Sequence, residues 1–269
     1  MEVNFDATPR DEHGLVERDY SSEPVGTVCG GFGGNYLPRS EWPERIAMHR
    51  SRRSRPIDFH KFHSVPILNQ ESTKYCWAYS VVAGVMNRLA FQGINSPVPE
   101  LSATAIGAVG MNYRNQGGFC SQAVDMIQKQ GGVPNASAWP NGFRIDRSYE
   151  NTAEVLESRK RNRLVDFVDL GVDLDAAISS MIDDDPIPVT FSLPWWRHAV
   201  LGLEVLDTEQ GPAESLKRYG IRFVNSYGPG WGKNGYGEFY GSKMEAWEYI
   251  AVQQVKARTE ANFKHEVLV

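Results

Sequence analysis

The chain has 269 residues, 41% of them hydrophobic, and a formal net charge of −5, so it can bury a sizeable core in one large domain or two lobes. The negative charge gives no attraction to nucleic acid. The sequence contains no run of 18 apolar residues, so we expect no membrane span. The first residues lack the basic, apolar and small-residue order of a secretory signal, so we expect no export by that route.

Residues 1–55 are polar and rich in Gly, Pro and Arg, and they are predicted to form an N-terminal extension. Within them, Cys29 opens a glycine loop that lacks the Lys-Ser/Thr of a phosphate-binding loop. Ser40 and Pro43 are typical of a short helix start. The arginines of 45–55 mark either an exposed processing site or a solvated charged face. The extension is therefore interpreted as a retained arm or a short pro-segment.

The remainder, residues 56–269, is predicted to form one domain whose first part, about 56–150, is mainly helical. Apolar residues at three- and four-residue spacing over 76–92 predict a largely buried helix. Ser102 is a typical N-cap for a short second helix. Residues 121–130 predict a third helix, which a glycine pair ends.

The second part, about 151–269, is predicted to be mainly β after one more helix at 174–182. Segments rich in β-branched and aromatic residues predict strands at 187–191, 199–205, 219–225 and 237–240. Helices followed by strands favour an α+β architecture with two lobes.

One cysteine stands out because of what surrounds it. Cys76 follows Gln70 by six residues and opens the predicted buried helix with Cys-Trp-Ala. Far downstream come His198, within Trp-Trp-Arg-His-Ala-Val, and Asn225, within Phe-Val-Asn-Ser-Tyr-Gly. A thiol, an imidazole and an amide can form a nucleophile, its base and the group that orients the base.

These blocks, together with Asn115–Phe119, Gly131–Pro134 and Gly228–Tyr236, resemble the papain-like cysteine proteases over most of the chain. The resemblance implies a helical lobe and an antiparallel β-barrel-like lobe with the active-site cleft between them. It also implies a cysteine-type endopeptidase. The low cysteine count and the Ser-Glu-Trp-Pro-Glu element at 40–44 resemble compact bacterial and bacteriophage members.

The resemblance implies a role for each matching residue. Cys76 would be the nucleophile, His198 its base and later the acid, and Asn225 the group that fixes the imidazole. The backbone N–H of Cys76 and the side-chain amide of Gln70 would hold the oxyanion. Trp231 would cover the His–Asn contact.

A substrate-binding wall is expected at Gly117 and Gly118, where a Cβ would keep a peptide backbone away. Phe119, Val133 and Trp196 are expected to line the pocket for the second side chain before the cleaved bond, with an apolar or aromatic preference.

Three positions depart from the family pattern. Tyr75 stands beside the nucleophile and could narrow the cleft. Arg197 precedes His198, where its charge would repel a protonated imidazole. Tyr227 replaces a more usual tryptophan.

No cofactor and no metal are expected. The His60/His63 pair matches no strong zinc template, and the three aspartates 183–185 are interpreted as a helix end. Cys29 and Cys120 are expected to be unpaired thiols, with a disulfide between them as the alternative.

The expected partner is a protein or peptide substrate, with no nucleic acid or membrane, in the cytoplasm or on a virion. Two other functions remain open. The chain could be a structural or binding protein, for example in a virion, whose site is dormant or self-blocked. It could also transfer an acyl group to an amine.

Overall fold

The computed structural model describes residues 14–20, 36–93 and 97–256, so Cys29 and the predicted glycine loop lie outside the described residues. In that part of the chain the α-helices are α1 (Trp42–Arg52), α2 (Pro56–Phe62), α3 (Cys76–Phe91), α4 (Ala103–Gly110), α5 (Cys120–Gln130), α6 (Ala153–Arg161) and α7 (Leu174–Ile182).

The strands form one antiparallel sheet in the order β1-β6-β2-β3-β4-β5. Their bounds are β1 (Arg163–Asp169), β2 (Val189–Leu193), β3 (His198–Asp207), β4 (Tyr219–Val224), β5 (Tyr236–Tyr240) and β6 (Tyr249–Lys256). The expected α+β fold is therefore confirmed.

The sheet is buried on both faces. Along β3, Ala199, Leu201 and Leu203 join a core around α3, α4 and α5, whereas Val200 and Val205 join a second core that includes α1 and α7. This alternation follows from the two-residue period of a strand, and a register shift between Gly202 and Glu204 resets it. The two cores are the physical basis of the two lobes.

Helix α3 is the central helix of the first core, and nearly all its side chains are buried. It packs on β3 and β6, and Gly84 permits the close approach. A Cβ built at Gly84 would lie 3.1 Å from a methyl of Val252 and 3.4 Å from one of Leu201. The predicted helix at 76–92 is therefore present, and its packing fixes where its first residue lies.

Helix α1 belongs to the second core, where Trp42 is fully buried and meets the Tyr219 ring edge-on at 5.1 Å. Two of the arginines predicted as a processing site or a solvated face form ion pairs. Arg45 contacts Asp184 at 2.5 Å, and Arg55 contacts the buried Glu204. Arg45 thus joins the N-terminal extension to the end of α7, and Arg55 joins it to β3.

Several elements were not predicted from the sequence. Strands β1 and β6 pair with each other, and β6 begins directly after the Glu-Ala-Trp-Glu segment at 245–248. Helix α6 contains the basic run 159–163 only in part, because Arg163 starts β1. Among the described residues no helix has the length and apolar character needed to cross a bilayer.

One buried group ties stability to pH. His60, on α2, is 1% exposed, packs edge-on against the Tyr236 ring at 5.9 Å, and its two ring nitrogens have no hydrogen-bond partner within the described ranges. Burial, helped by the charge of Lys61, lowers the pKa of His60 to about 3.

We expect the free energy of unfolding to increase as pH rises from the pKa of folded His60, about 3, toward the pKa of an unfolded histidine. An unfolded histidine titrates near 6.5, so between pH 3 and 6.5 the unfolded chain binds the proton that the folded chain excludes, and stability is lost as pH falls. Replacement His60→Phe should reduce the drop in unfolding free energy between pH 7 and 4.5 by about 2 kcal/mol. Urea denaturation of both chains at both pH values measures it. Equal drops in the two chains would contradict the assignment.

Candidate active site

Cys76 is the first residue of α3 and is fully buried. Interactions with the backbone N–H of Ala199, the residue after His198, and with the N–H groups of Trp77 and Cys76 itself act to lower the pKa of its thiol. The first N–H groups of a helix lack helical acceptors and carry its positive dipole end. The sulfur is therefore surrounded by donors that favour a thiolate.

His198 and Asn225 form a direct pair across β3 and the end of β4. The Nε2 of His198 is 2.7 Å from the Oδ1 of Asn225, and the same oxygen accepts from the Ser226 N–H at 2.8 Å. Because the Ser226 N–H can only donate, the amide must present its oxygen. Nε2 of a neutral His198 therefore carries the proton, and Nδ1 is left as the basic nitrogen.

Aromatic rings pack on the imidazole. Trp196 lies 4.5 Å away, and Tyr227 stacks at 4.9 Å with its hydroxyl 3.5 Å from Nδ1. Trp231 packs on both of these rings, at 5.9 and 6.3 Å. The structure thus places Trp196, expected in a substrate pocket, against the imidazole, and places Tyr227 beside the nitrogen that would act as base.

Gln70 is held by the loop that follows Asn225. Its backbone N–H donates to the Ser226 carbonyl at 2.8 Å, and its Oε1 accepts from the Ser226 hydroxyl at 2.5 Å. Its Nε2 donates to the Thr73 carbonyl at 2.7 Å. This leaves the second Nε2 hydrogen available in the loop that leads to Cys76.

Residues 14–20 of the N-terminal extension lie on the predicted substrate wall. Gly118 donates to the Gly14 carbonyl at 2.9 Å and accepts from the Val16 N–H at 3.0 Å, which pairs Leu15 with Gly118 in parallel. The Leu15 N–H also points to the Arg197 carbonyl at 3.4 Å. Segment 14–20 therefore connects the wall to the residue before His198, as a bound peptide would.

The fit of segment 14–20 depends on glycine. A Cβ built at Gly14, whose φ is +89°, would lie 2.2 Å from the Lys74 carbonyl oxygen, two residues before the nucleophile. A Cβ at Gly117 would lie 2.3 Å from the Gly14 oxygen. The backbones of Gly14 and Gly117, which carry no Cβ, are therefore in contact at the position where the sequence predicted a substrate-binding wall.

The site is closed in this structure. Cys76 and His198 are both 0% exposed. Burial raises the pKa of the Cys76 thiol to about 12 despite the N–H donors around it. In this closed form the sulfur is a thiol, and it acquires nucleophilic character only when water and ligands reach it.

The remaining predicted residues have other positions. Tyr75 is fully buried, with its ring against Gly107 of α4 and its hydroxyl on the Arg114 carbonyl, so it does not narrow the cleft. Val133 lies in the first core, and Phe119 caps α5 next to the wall. The Arg197 side chain is exposed to solvent.

Metal-binding side chains do not gather in this part of the molecule. Within the described ranges there is no group of three or more His, Cys, Asp or Glu residues that could hold an ion. Cys120 is a free, buried thiol with its sulfur 3.3 Å from the Ser192 hydroxyl.

No family model matches the chain, and no curated protein matches its sequence. Solved structures do match. Procathepsin L2 of the Tenebrio molitor larval midgut superimposes with a TM-score of 0.62 at 18% identity, over 93% of this chain and 82% of the other. Bromelain of Ananas comosus gives 0.55 at 15% identity over 73% and 97%. Xylellain of Xylella fastidiosa gives 0.52 at 14% identity over 72% and 83%. The chain has the fold of the papain-like cysteine proteases.

Displacing segment 14–20 should expose the thiol. We expect Gly14→Ala to raise the rate of Cys76 alkylation by iodoacetamide at least about tenfold, because the added methyl strikes the Lys74 carbonyl and is strained at positive φ. Mass mapping of the modified peptide over time measures the rate.

Gly211→Ala is the matched control, since Gly211 has a similar φ of +85° and nothing within 4 Å of its Cβ position. Equal alkylation rates in the two variants would show that the segment does not shield Cys76.

Proposed function

We propose that the chain is a cysteine endopeptidase that acts through Cys76, His198 and Asn225. The observation that carries the proposal is the 2.7 Å contact between Nε2 of His198 and Oδ1 of Asn225, which leaves Nδ1 of His198 as the basic nitrogen, while the backbone of the next residue, Ala199, interacts with the sulfur of the helix-terminal Cys76. The papain-like fold supports it. A protein or peptide is the substrate because the wall at Gly118 already pairs with an extended backbone.

The chemistry follows from this arrangement. Nδ1 of His198 takes the thiol proton, and the sulfur of Cys76 adds to the peptide carbonyl carbon. When the C–N bond breaks, His198 returns the proton to the leaving amine, and a thioester remains. Water, deprotonated by His198, then hydrolyses the thioester, which releases the acid and restores the thiol. Asn225 holds the ring in one orientation through both steps.

The oxyanion needs donors near Cys76. The Cys76 N–H lies in the first turn of α3, and Gln70 keeps one Nε2 hydrogen beyond the one given to Thr73. A donor of this kind is worth about a hundredfold to a thousandfold in turnover. Gln70 is positioned by Ser226, so the oxyanion donor and Asn225 are supported by the same loop.

The closed site means that the enzyme is latent until segment 14–20 leaves the wall. The pKa of a buried Cys76 thiol is too high for reaction near neutral pH, and hydration after release would lower it. A methyl at Gly14 would strike the Lys74 carbonyl, and the Leu15 N–H points to the Arg197 carbonyl, so the segment lies against the residues that precede Cys76 and His198. The match to a procathepsin supports this, because it covers more of the chain than residues 56–269 alone supply.

A second candidate function rests on the same closure. A structural or binding protein with a permanently blocked site would also show a nucleophile and an imidazole with 0% exposure. The two functions differ once the segment is displaced. A folded Gly14→Ala chain whose Cys76 is alkylated but which cleaves no peptide would favour the binding protein.

Site variants test the mechanism in the Gly14→Ala background. Cys76→Ala and His198→Gln should abolish cleavage of a fluorogenic peptide library, and Asn225→Ala should lower kcat/KM at least about tenfold because the ring loses its orientation. Initial rates with each variant measure the effects.

His63→Gln serves as the control, because His63 is the C-cap of α2 and its ring packs on Phe62, at 5.0 Å. Retained cleavage by Cys76→Ala, or an equal loss in His63→Gln, would contradict the assignment of the nucleophile and base.

A further inference from the structure

Segment 14–20 carries one cation into the interior. The side chain of Arg18 is 3% exposed, forms an ion pair with Asp169 at the end of β1, and lies 3.4 Å from the Oε2 of Glu248. Glu248 precedes β6 and is itself 0% exposed. A polar N-terminal segment has thus placed its guanidinium between two carboxylates.

Asp169 and Glu248 form the floor of the socket that holds Arg18. The hydrogen bonds of Glu248 to the folded domain hold it in place independently of Arg18. Glu248 accepts from the Cys120 N–H at the start of α5, from the Ser121 hydroxyl at 3.0 Å and from the Ser192 hydroxyl at 3.3 Å. A helix N-terminus stabilises a carboxylate. Burial raises the pKa of Glu248, and these donors of the folded domain act together with Arg18 against that rise, so the charge of Glu248 does not depend on Arg18 alone.

The socket is continuous with the substrate wall. Cys120 and Ser121 follow Gly118 by two and three residues, and Gly118 is the residue that binds the backbone of segment 14–20. A peptide lying on this wall can therefore reach Glu248 with a long side chain, as the segment does with Arg18.

We propose that Glu248, assisted by Asp169, is the specificity-determining residue of a subsite that takes an arginine side chain of the substrate. The inference rests on the proposed peptidase function and names its substrate class as arginine-containing segments. Segment 14–20 fills the subsite in the latent protein and thereby imitates such a substrate.

Arginine fits the socket better than lysine or an apolar side chain. Its planar guanidinium can meet two carboxylates at once and is weakly hydrated, so burial costs less than for an ammonium. An apolar side chain would leave the Glu248 charge without a cation in a buried site. The expectation of an apolar or aromatic preference is replaced by a basic one.

Two assays with one released chain test the inference. The chain carries Gly14→Ala and Arg18→Ala, which displace segment 14–20 and empty the socket. Peptide substrates with arginine, or its neutral isostere citrulline, at each of the four positions before the cleaved bond give kcat/KM. In parallel, anisotropy gives the affinity of labelled Gly-Leu-Val-Glu-Arg-Asp-Tyr, the sequence of residues 14–20, and of its citrulline form.

We expect arginine to exceed citrulline by about tenfold to a hundredfold in kcat/KM at one position, and by a similar factor in binding, because the isostere keeps the shape and loses only the charge. If no peptide is cleaved but the arginine peptide still binds better, the subsite stands and the peptidase proposal falls. Equal cleavage of arginine and citrulline substrates overturns the subsite, even where the peptides differ in binding. No cleavage together with equal binding overturns it too.

Substitutions of Glu248 and Asp169 test which carboxylate produces the preference for arginine. Glu248→Gln should remove most of the preference for arginine over citrulline, and Asp169→Asn, at a partly exposed position, should reduce it. Because the citrulline comparison uses an unaltered socket, it decides the question even if Glu248→Gln does not fold. A full preference in a folded Glu248→Gln chain would overturn the role of Glu248.

Discussion

The packing of α3 against the sheet is the constraint on which the site depends. Gly84 lets the helix approach β3 and β6 to within methyl contact, and at the start of α3 the sulfur of Cys76 interacts with the backbone of Ala199, at the start of β3. Cys76 begins the helix and His198 begins the strand, so one packing contact brings two residues far apart in sequence to the same place. Asn225 joins them because β4 pairs with β3 and ends beside it. The chemistry is therefore a consequence of how a helix and two strands pack.

The direction of the hydrogen bonds around His198 determines the orientation and the proton position of its imidazole. The Ser226 N–H determines which face of the Asn225 amide points at His198, and that in turn determines which ring nitrogen is basic. Ser226 also holds Gln70 through its carbonyl and hydroxyl. A single short loop after β4 thus holds both Gln70 and the amide that orients His198. Trp196 and Tyr227 pack on the imidazole, and Trp231 packs on both of these rings.

The sequence predicted the α+β fold, because residue spacing in α3 and strand composition are local signals. The candidate triad was visible as residue types in a particular order, and the structure brings His198 and Asn225 into contact. Other features depended on contacts between distant residues. Nothing local in Tyr75 shows that its ring turns toward Gly107, away from the cleft. Trp196 could not be distinguished from a pocket residue by its neighbours in sequence. Glu248 was missed because a lone glutamate before a strand has no signature until Cys120, Ser121, Ser192 and Arg18 converge on it.

The N-terminal extension contacts the rest of the protein at two places. One part of it, α1, packs into the second core through Trp42, and another part, segment 14–20, pairs with the substrate wall. That segment supplies the buried Arg18 and lies against Lys74 and Arg197, the residues that lead to Cys76 and His198. Parallel pairing of Leu15 with Gly118 gives it a strand-like contact with the wall.

Trapping of the covalent intermediate is the most direct test of whether Cys76 is the nucleophile. The Gly14→Ala chain would be mixed with a reactive peptide ester, quenched in acid within a turnover, and examined by intact mass and peptide mapping. If Cys76 is the nucleophile, its mass increases by the acyl half of the substrate, carried as a thioester, and this increase is absent after His198→Gln. Turnover of the ester without any acyl group on Cys76, or with the group on another residue, would contradict it.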